Sequence, residues 1–477
     1  MHQHRSFFIG GEWIAPAGRD VIKVISPHTE QVIGEVPDGT PTDIDRAVAA
    51  ARRAFDSGPW PHLSFADRAE MVAKLGSLYE ASAESMAQLI TAQMGSPISF
   101  SRLVQAPAPA RMLKYFSELG RTFQPEEQRP GQLGPITVRR EPIGVVAAIM
   151  PWNVPQFTLM SKLAPALVAG CTVVIKPAPE TPLDTYLLAD LVAQAGIPAG
   201  VVNVVAGGRE VGAHLVAHPG VDKVSFTGST EAGRRIGAVC GEQLKKCSLE
   251  LGGKAAAIIL DDVDLGQVMY WLQVSTMMNN GQACIAQSRI LASRKRYAEV
   301  VEALAAMAGS LPIGDPADEG TAMGPVVSRR QQERIQGYIR LGQQEGAKLV
   351  VGGPDRPRDV GWYVAPTVFS GVTNSMRIAR EEIFGPVLSV IPYEDEADAI
   401  RIANDSEYGL CGSVWTADSA HGVDVARKVR VGTFGVNMYI PEINAPFGGM
   451  KQSGIGRELG PEGFGSYLDY KSIVAMG

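Results

Sequence analysis

Cys284 lies in "NNGQACIAQSRI" (279–290), where a polar, glycine-containing run gives way to an apolar one. A cysteine thiolate is a potent nucleophile, while an unpaired cysteine with no activating neighbour is a small, inert core residue. Glu250, in "LELGGK" (249–254), sits inside an apolar run just before two glycines. Apolar surroundings raise a carboxyl pKa, as a general base near neutral pH requires; a salt-bridged glutamate at a strand or helix end is the plainer alternative. Asn153, in "PWNVP" (151–155), offers a side-chain amide to a developing oxyanion, or is part of a proline-rich turn. "VSFTGSTEAGRRIG" (224–237) reads as strand, Gly-Ser-Thr turn and helix start. Free backbone N–H groups there suit a phosphate, although the G-x-G-x-x-G spacing of the usual dinucleotide turn is absent. Each stretch alone fits either reading.

The elements that must position these residues show a βαβ rhythm. Short β-branched runs at 144–150, 172–177, 201–206 and 223–228 predict buried strands. Between them, 157–170 and 184–196 carry apolar residues at helical spacing and end on glycine. The expected fold class is α/β, with a doubly wound parallel sheet. A second alternating series through 255–261, 287–293 and 388–395 predicts a second α/β domain. Segments 135–142 and 466–476 read as isolated strands of the kind that pair with a neighbour. The uncharged stretch 142–161 has the length of a membrane span, but Pro142, Pro151 and Pro155 break it, and a buried strand, turn and buried helix is expected instead.

At 477 residues and 45% hydrophobic, the chain should divide into two or three domains. A net charge of −6 without long charge blocks argues against nucleic acid or an anionic membrane as partner and leaves a small molecule. Five cysteines make a poor disulfide framework, and the N-terminus lacks a signal-peptide pattern, so a reducing, cytoplasmic setting is expected.

Taken together, "PWN" (151–153), "FTGST" (226–230), "LELGGK" (249–254), "NNGQAC" (279–284), "EEIFGPV" (381–387) and "PFGGMKQSGIGRELG" (446–460) resemble, in order, the motifs of the NAD(P)-dependent aldehyde dehydrogenase superfamily, hydrolytic type. The resemblance implies that Cys284 attacks the aldehyde carbonyl as thiolate, that Asn153 and the Cys284 N–H hold the oxyanion, and that Glu250 activates the water that cleaves a thioester. Lys162 and Glu458 would belong to the proton and water network. Lys176 would contact the adenine ribose and Ser229 the pyrophosphate. Glu382 would hold the nicotinamide ribose and Phe384 would pack near the ring. Ile149, Pro151, Trp152, Gly207, Phe226, Gly228, Leu251 and Gly252 would complete the cofactor cleft. NAD is the expected cofactor, with NADP as alternative: where many NAD-specific members carry a glutamate three residues after the lysine, this chain has Pro179, followed by Glu180. No metal is implied.

The same resemblance assigns Val154, Phe157, Ser161, Met278, Ile285, Tyr439, Ile440, Pro441 and Phe447 to the aldehyde tunnel. This apolar lining, without lysine or arginine, favours aliphatic, terpenoid or aromatic aldehydes, because a substrate carboxylate would be left unpaired. Implied domains are 1–121 with 143–252 for the cofactor, 253–452 for catalysis, and 122–142 with 453–477 as an arm building a homodimer or homotetramer. A CoA-acylating enzyme is disfavoured by Glu250, and a non-catalytic member by the retention of Cys284, Glu250 and Asn153. A cofactor-free cysteine hydrolase is disfavoured by the lack of a histidine near Cys284 in sequence.

Overall fold

A computed structural model describes residues 2–132 and 134–475. Its largest sheet has eight strands in the order Gly454–Ile455, Lys246–Glu250, Lys223–Thr227, Val145–Ile149, Thr172–Lys176, Val202–Val204, Phe7–Ile9 and Glu12–Ile14. The five central strands are parallel, and antiparallel strands close both edges. The chain enters at Val145–Ile149, builds outward through Thr172–Lys176 and Val202–Val204, and then returns to lay Lys223–Thr227 and Lys246–Glu250 on the opposite side. The strand order therefore reverses between Val145–Ile149 and Lys223–Thr227, and such a switch point opens a crevice at the strands' carboxyl ends.

The second sheet has seven strands, ordered Lys348–Val351, Thr367–Ser370, Val387–Tyr393, Arg289–Ser293, Ala256–Ile259, Cys411–Trp415 and Thr433–Val436. All its pairings are parallel except that of Lys348–Val351 with Thr367–Ser370. The α/β class read from the sequence is thus the observed one. The strands are buried on both faces, which is why they read as continuous apolar runs rather than alternating ones.

Residues 142–161 form the end of an arm strand, the buried strand Val145–Ile149, a turn, and the start of helix Pro155–Ala169. Among the described residues no helix is long and apolar enough to cross a membrane. Helix Pro155–Ala169 starts on a proline, stops at left-handed Gly170 (φ 99°), and is buried at nearly every position. It is therefore a central pillar, and its Lys162 reaches the strand end at Thr227 and the C-terminal segment at Glu458. Leu468–Val474, Ile136–Pro142 and Glu126–Arg129 form a separate, solvated three-stranded sheet. Gly454–Ile455, expected with the arm, instead extends the edge of the eight-stranded sheet beside Glu250. Met1, Leu133, Met476 and Gly477, at the margins of the expected ranges, lie outside the described residues.

Candidate active site

The loop before Cys284 explains its own composition. Helix Leu265–Met277 ends, and Asn279, Asn280 and Gly281 then take positive φ in succession (54°, 61° and 71°). Asparagine tolerates this region better than other side-chain-bearing residues. A Cβ on Gly281 would lie 2.3 Å from the Gly385 carbonyl carbon, so only glycine fits. The turn is pinned from both sides. Asn280 Nδ2 donates to the Gly95 and Pro325 carbonyls (2.9 Å each), while Asn280 Oδ1 accepts from the Gly324 N–H at 2.7 Å. Asn279 Nδ2 donates to the carbonyls of Asn153 (2.9 Å) and Gln282 (3.2 Å). Gln282 Oε1 accepts from the Val327 N–H at 3.0 Å. What looked like a generic polar run is a clamp holding Cys284 against "PWN".

Cys284 is half-buried and borders the same large apolar core as Phe157, Ile285, Ile443 and Phe447. Burial, and then the nearby Glu382, Cys411 and Glu250, push its thiol pKa well up. Asn153 is buried, and its Nδ2 donates to the Gln282 carbonyl at 3.0 Å, two residues from Cys284. Asn153 therefore reaches the nucleophile's own turn.

Glu250 ends strand Lys246–Glu250, is 3% exposed, and neither carboxyl oxygen has a hydrogen-bond partner. Burial, and secondarily Glu458, raise its pKa well above the ordinary carboxylate range, with Lys162 opposing. The salt-bridged alternative is thus not what the chain builds. The salt bridge belongs to its neighbour: Lys162 Nζ donates to Glu458 Oε1 at 2.5 Å and to Thr227 Oγ1 at 2.6 Å. Ser161 Oγ, expected in the tunnel, donates to Glu458 Oε2 at 2.6 Å instead. Four buried groups thus link the helix pillar, the strand end and the C-terminal segment beside Glu250.

Around the crevice, Ile149, Lys176, Phe226 and Glu250 lie at or beside the carboxyl ends of the central strands. Ser229 caps helix Thr230–Glu242, its Oγ accepting from the Ala232 N–H at 3.3 Å, as the strand-turn-helix reading expects. Lys176 Nζ donates to the carbonyls of Pro177 (2.9 Å) and Gly207 (2.8 Å), and burial lowers its pKa to about 8. Glu180 opposes that lowering and lies 3.8 Å from Arg330. Glu382 Oε1 accepts from the Gly253 N–H at 2.9 Å. Trp152 and Phe384 meet edge to face at 5.2 Å, with Phe384 held at φ 64°. A Cβ on Gly228 would come within 2.4 Å of the Phe226 ring, and one on Gly252 within 2.5 Å of Glu382 Oε2. A buried cation, a helix N-terminus with donors, an acidic acceptor and two aromatic walls along glycine-narrowed backbone suit a dinucleotide.

Among the tunnel candidates, Tyr439 is buried with Cys411 and Ile285, its hydroxyl 2.5 Å from Thr433 Oγ1. Ile440 is 45% exposed, so it sits at the surface. Val154, Phe157, Met278 and Ile285 are half-buried. Sequence reasoning missed Asn279, Asn280, Thr227, Ile443 and Cys411. The first two carried a local signal, being an Asn-Asn-Gly turn; the others are brought in only by long-range folding.

A family description, "Aldehyde dehydrogenase family", matches residues 13–473. The geranial dehydrogenase of Castellaniella defragrans is 49% identical over 477 residues, covering 100% of this chain and 99% of that protein. An aldehyde dehydrogenase of Mycobacterium tuberculosis complexed with NAD+ superposes with a TM-score of 0.98 at 46% identity, covering 100% of this chain and 99% of that one. A mutant aldehyde dehydrogenase C of Pseudomonas syringae, in complex with NAD+ and octanal, gives 0.95 at 42% identity over 98% and 96% of the two chains.

Proposed function

The chain belongs to the aldehyde dehydrogenase family, an NAD(P)-dependent class of oxidoreductases, and from that premise we propose that it oxidises apolar aldehydes to carboxylic acids through a covalent bond to Cys284. The observations that carry this reading are the hydrogen bond from Asn153 to the turn just before Cys284 and a buried, unpaired Glu250 whose charge acts on the Cys284 thiol.

In the proposed cycle the Cys284 thiol loses its proton and its sulfur attacks the aldehyde carbon, giving a thiohemiacetal. Glu250, with a raised pKa and no partner, is suited to take that proton. The Asn153 amide and the Cys284 N–H hold the oxyanion. NAD, when bound, supplies the oxidant by accepting the hydride. Lys176, Ser229, Glu382, Trp152 and Phe384 are the residues placed to bind and orient it. Hydrolysis of the resulting thioester needs a water deprotonated beside Cys284, and Glu250, once it has released the first proton to solvent, is again the base. Burial sets the raised Glu250 pKa first; the ion-paired Glu458 and Lys162 then act on it in opposite directions, Glu458 raising it and Lys162 lowering it.

The apolar side chains Phe157, Ile285, Ile443 and Phe447, which border the same core as Cys284, favour an alkyl chain or ring. The names of two relatives, geranial dehydrogenase and the octanal complex, support that preference. The exposed edge strand Leu468–Val474, with Tyr470, Ile473 and Val474 facing solvent, supports strand pairing in a homodimer or homotetramer. The domain division expected above, with Gly454–Ile455 moved from the arm to the cofactor sheet, is part of this proposal. Steady-state rates with NAD on octanal, geranial and benzaldehyde against succinic semialdehyde test the reading. The apolar aldehydes should have the higher kcat/KM, and a preference for the semialdehyde would overturn it.

A further inference from the structure

Two thiols outside this site face each other across a helix and a strand. Helix Thr230–Glu242 packs antiparallel along strand Lys246–Glu250, and the register is fixed by glycines. A Cβ on Gly233 would lie 2.4 Å from Leu251 Cδ2, and one on Gly237 would lie 3.5 Å from Leu249 Cδ1. Each step of about one helical turn (~5.4 Å) thus matches two strand residues (~6.6 Å) on one sheet face. The next step along the series sets Cys240 over Cys247. Both belong to the cluster that holds Ile236, Val239, Leu249 and Leu251, whereas Ser248 and Glu250 point to the other face. The two glycines let helix and strand approach closely beside the two cysteines.

Cys240 is buried and Cys247 is half-buried, so only one of the two is open to a small reagent. Interaction between the two thiols, aided by Lys223, lowers the Cys247 pKa to about 7, while that of Cys240 is raised. Cys284, by contrast, has its pKa raised. A half-buried low-pKa thiol beside a fully buried one is the arrangement of an attacking and a resolving cysteine.

We propose that Cys240 and Cys247 form a reversible intramolecular disulfide on exposure to hydroperoxides. The Cys247 thiolate attacks the peroxide oxygen, the O–O bond breaks, and an alcohol (water, from hydrogen peroxide) leaves after protonation, giving a sulfenic acid. The Cys240 sulfur then attacks the Cys247 sulfur and expels the hydroxyl as water. Two thiols are oxidised and one peroxide is reduced.

Lys245 and Lys246 separate the two cysteines onto different tryptic peptides. Full-length protein would be titrated with hydrogen peroxide, alkylated, digested without reductant and analysed by mass spectrometry. The expected result is a linked 236–245/247–254 pair, with titratable thiols falling from five to three, reversed by dithiothreitol and preceding any oxidation of Cys284. Cys247→Ser and, separately, Cys240→Ala should each abolish the linked pair. Retention of five thiols, pairing of either cysteine with another, or oxidation of Cys284 ahead of Cys247 would overturn the proposal.

Discussion

Replacing Asn153 by Ala separates a catalytic role from a structural one. In the resting protein the Asn153 amide donates one hydrogen bond, to the Gln282 carbonyl at 3.0 Å. That carbonyl also accepts from Asn279 Nδ2 at 3.2 Å, so truncation leaves it satisfied. The Asn153 carbonyl, which accepts from Asn279 at 2.9 Å, is backbone and survives the change. The folding cost is therefore one neutral hydrogen bond, about 1 kcal/mol, which lowers Tm by only about 2 °C in a chain of this size. Losing an oxyanion donor instead costs kcat about 10²–10³-fold, or about 3–4 kcal/mol. The Cys284 N–H remains to supply the rest. NADH formation from octanal, together with a thermal melt of the same preparation, measures both. A kcat loss below about tenfold, about 1.4 kcal/mol, would refute the oxyanion assignment. A collapse of Tm with a proportionate loss of activity would show that Asn153 acts by holding the turn.

Lys162→Met leaves Glu458 buried without its cation, and removing one partner of such a pair typically costs about 3–5 kcal/mol, read by denaturant unfolding. Lys254 is fully buried, its Nζ has no hydrogen-bond partner, and burial with Arg289 nearby lowers its pKa to about 7. A lysine whose folded pKa is depressed costs stability below that pKa, and the cost fades as pH rises toward the unfolded value. Lys254→Met should therefore stabilise the protein by a few kcal/mol below pH ~7 and progressively less above it. Equal gains at pH 6 and pH 10, measured by unfolding, would contradict the sign. Glu180→Gln, next to Pro179 and close enough to raise the Lys176 pKa, should increase the NADP-to-NAD ratio of kcat/KM. An unchanged ratio would remove Glu180 from cofactor choice.

Elements were more legible than contacts. The runs 144–150, 172–177 and 223–228 fold as strands Val145–Ile149, Thr172–Lys176 and Lys223–Thr227, and 184–196 as helix Leu183–Ala195, because buried parallel strands and capped helices write period and glycine signals locally. The N-terminal strands Phe7–Ile9 and Glu12–Ile14 were not read: three residues are too few to show a period. In the site, the types at Cys284, Glu250 and Asn153 suggested chemistry, and the surrounding motifs suggested the family. The sequence left open whether Glu250 is ion-paired. That answer lies with Lys162 and Glu458, which are 296 residues apart and meet only through the fold. Likewise Ser161 looked like tunnel lining until the fold placed Glu458 beside it.

The central claim is a thioester on Cys284 hydrolysed with the help of Glu250. The most direct test mixes the Glu250→Gln variant with octanal and NAD, quenches in acid, and measures intact mass and Cys284-peptide mass beside the NADH released. The account predicts that NADH forms more slowly than in the wild type, because Glu250 also takes the Cys284 proton, and stops at one equivalent, with an octanoyl adduct on the Cys284 peptide that is absent from Cys284→Ala. Undiminished turnover without adduct, or an adduct on another residue, would contradict it.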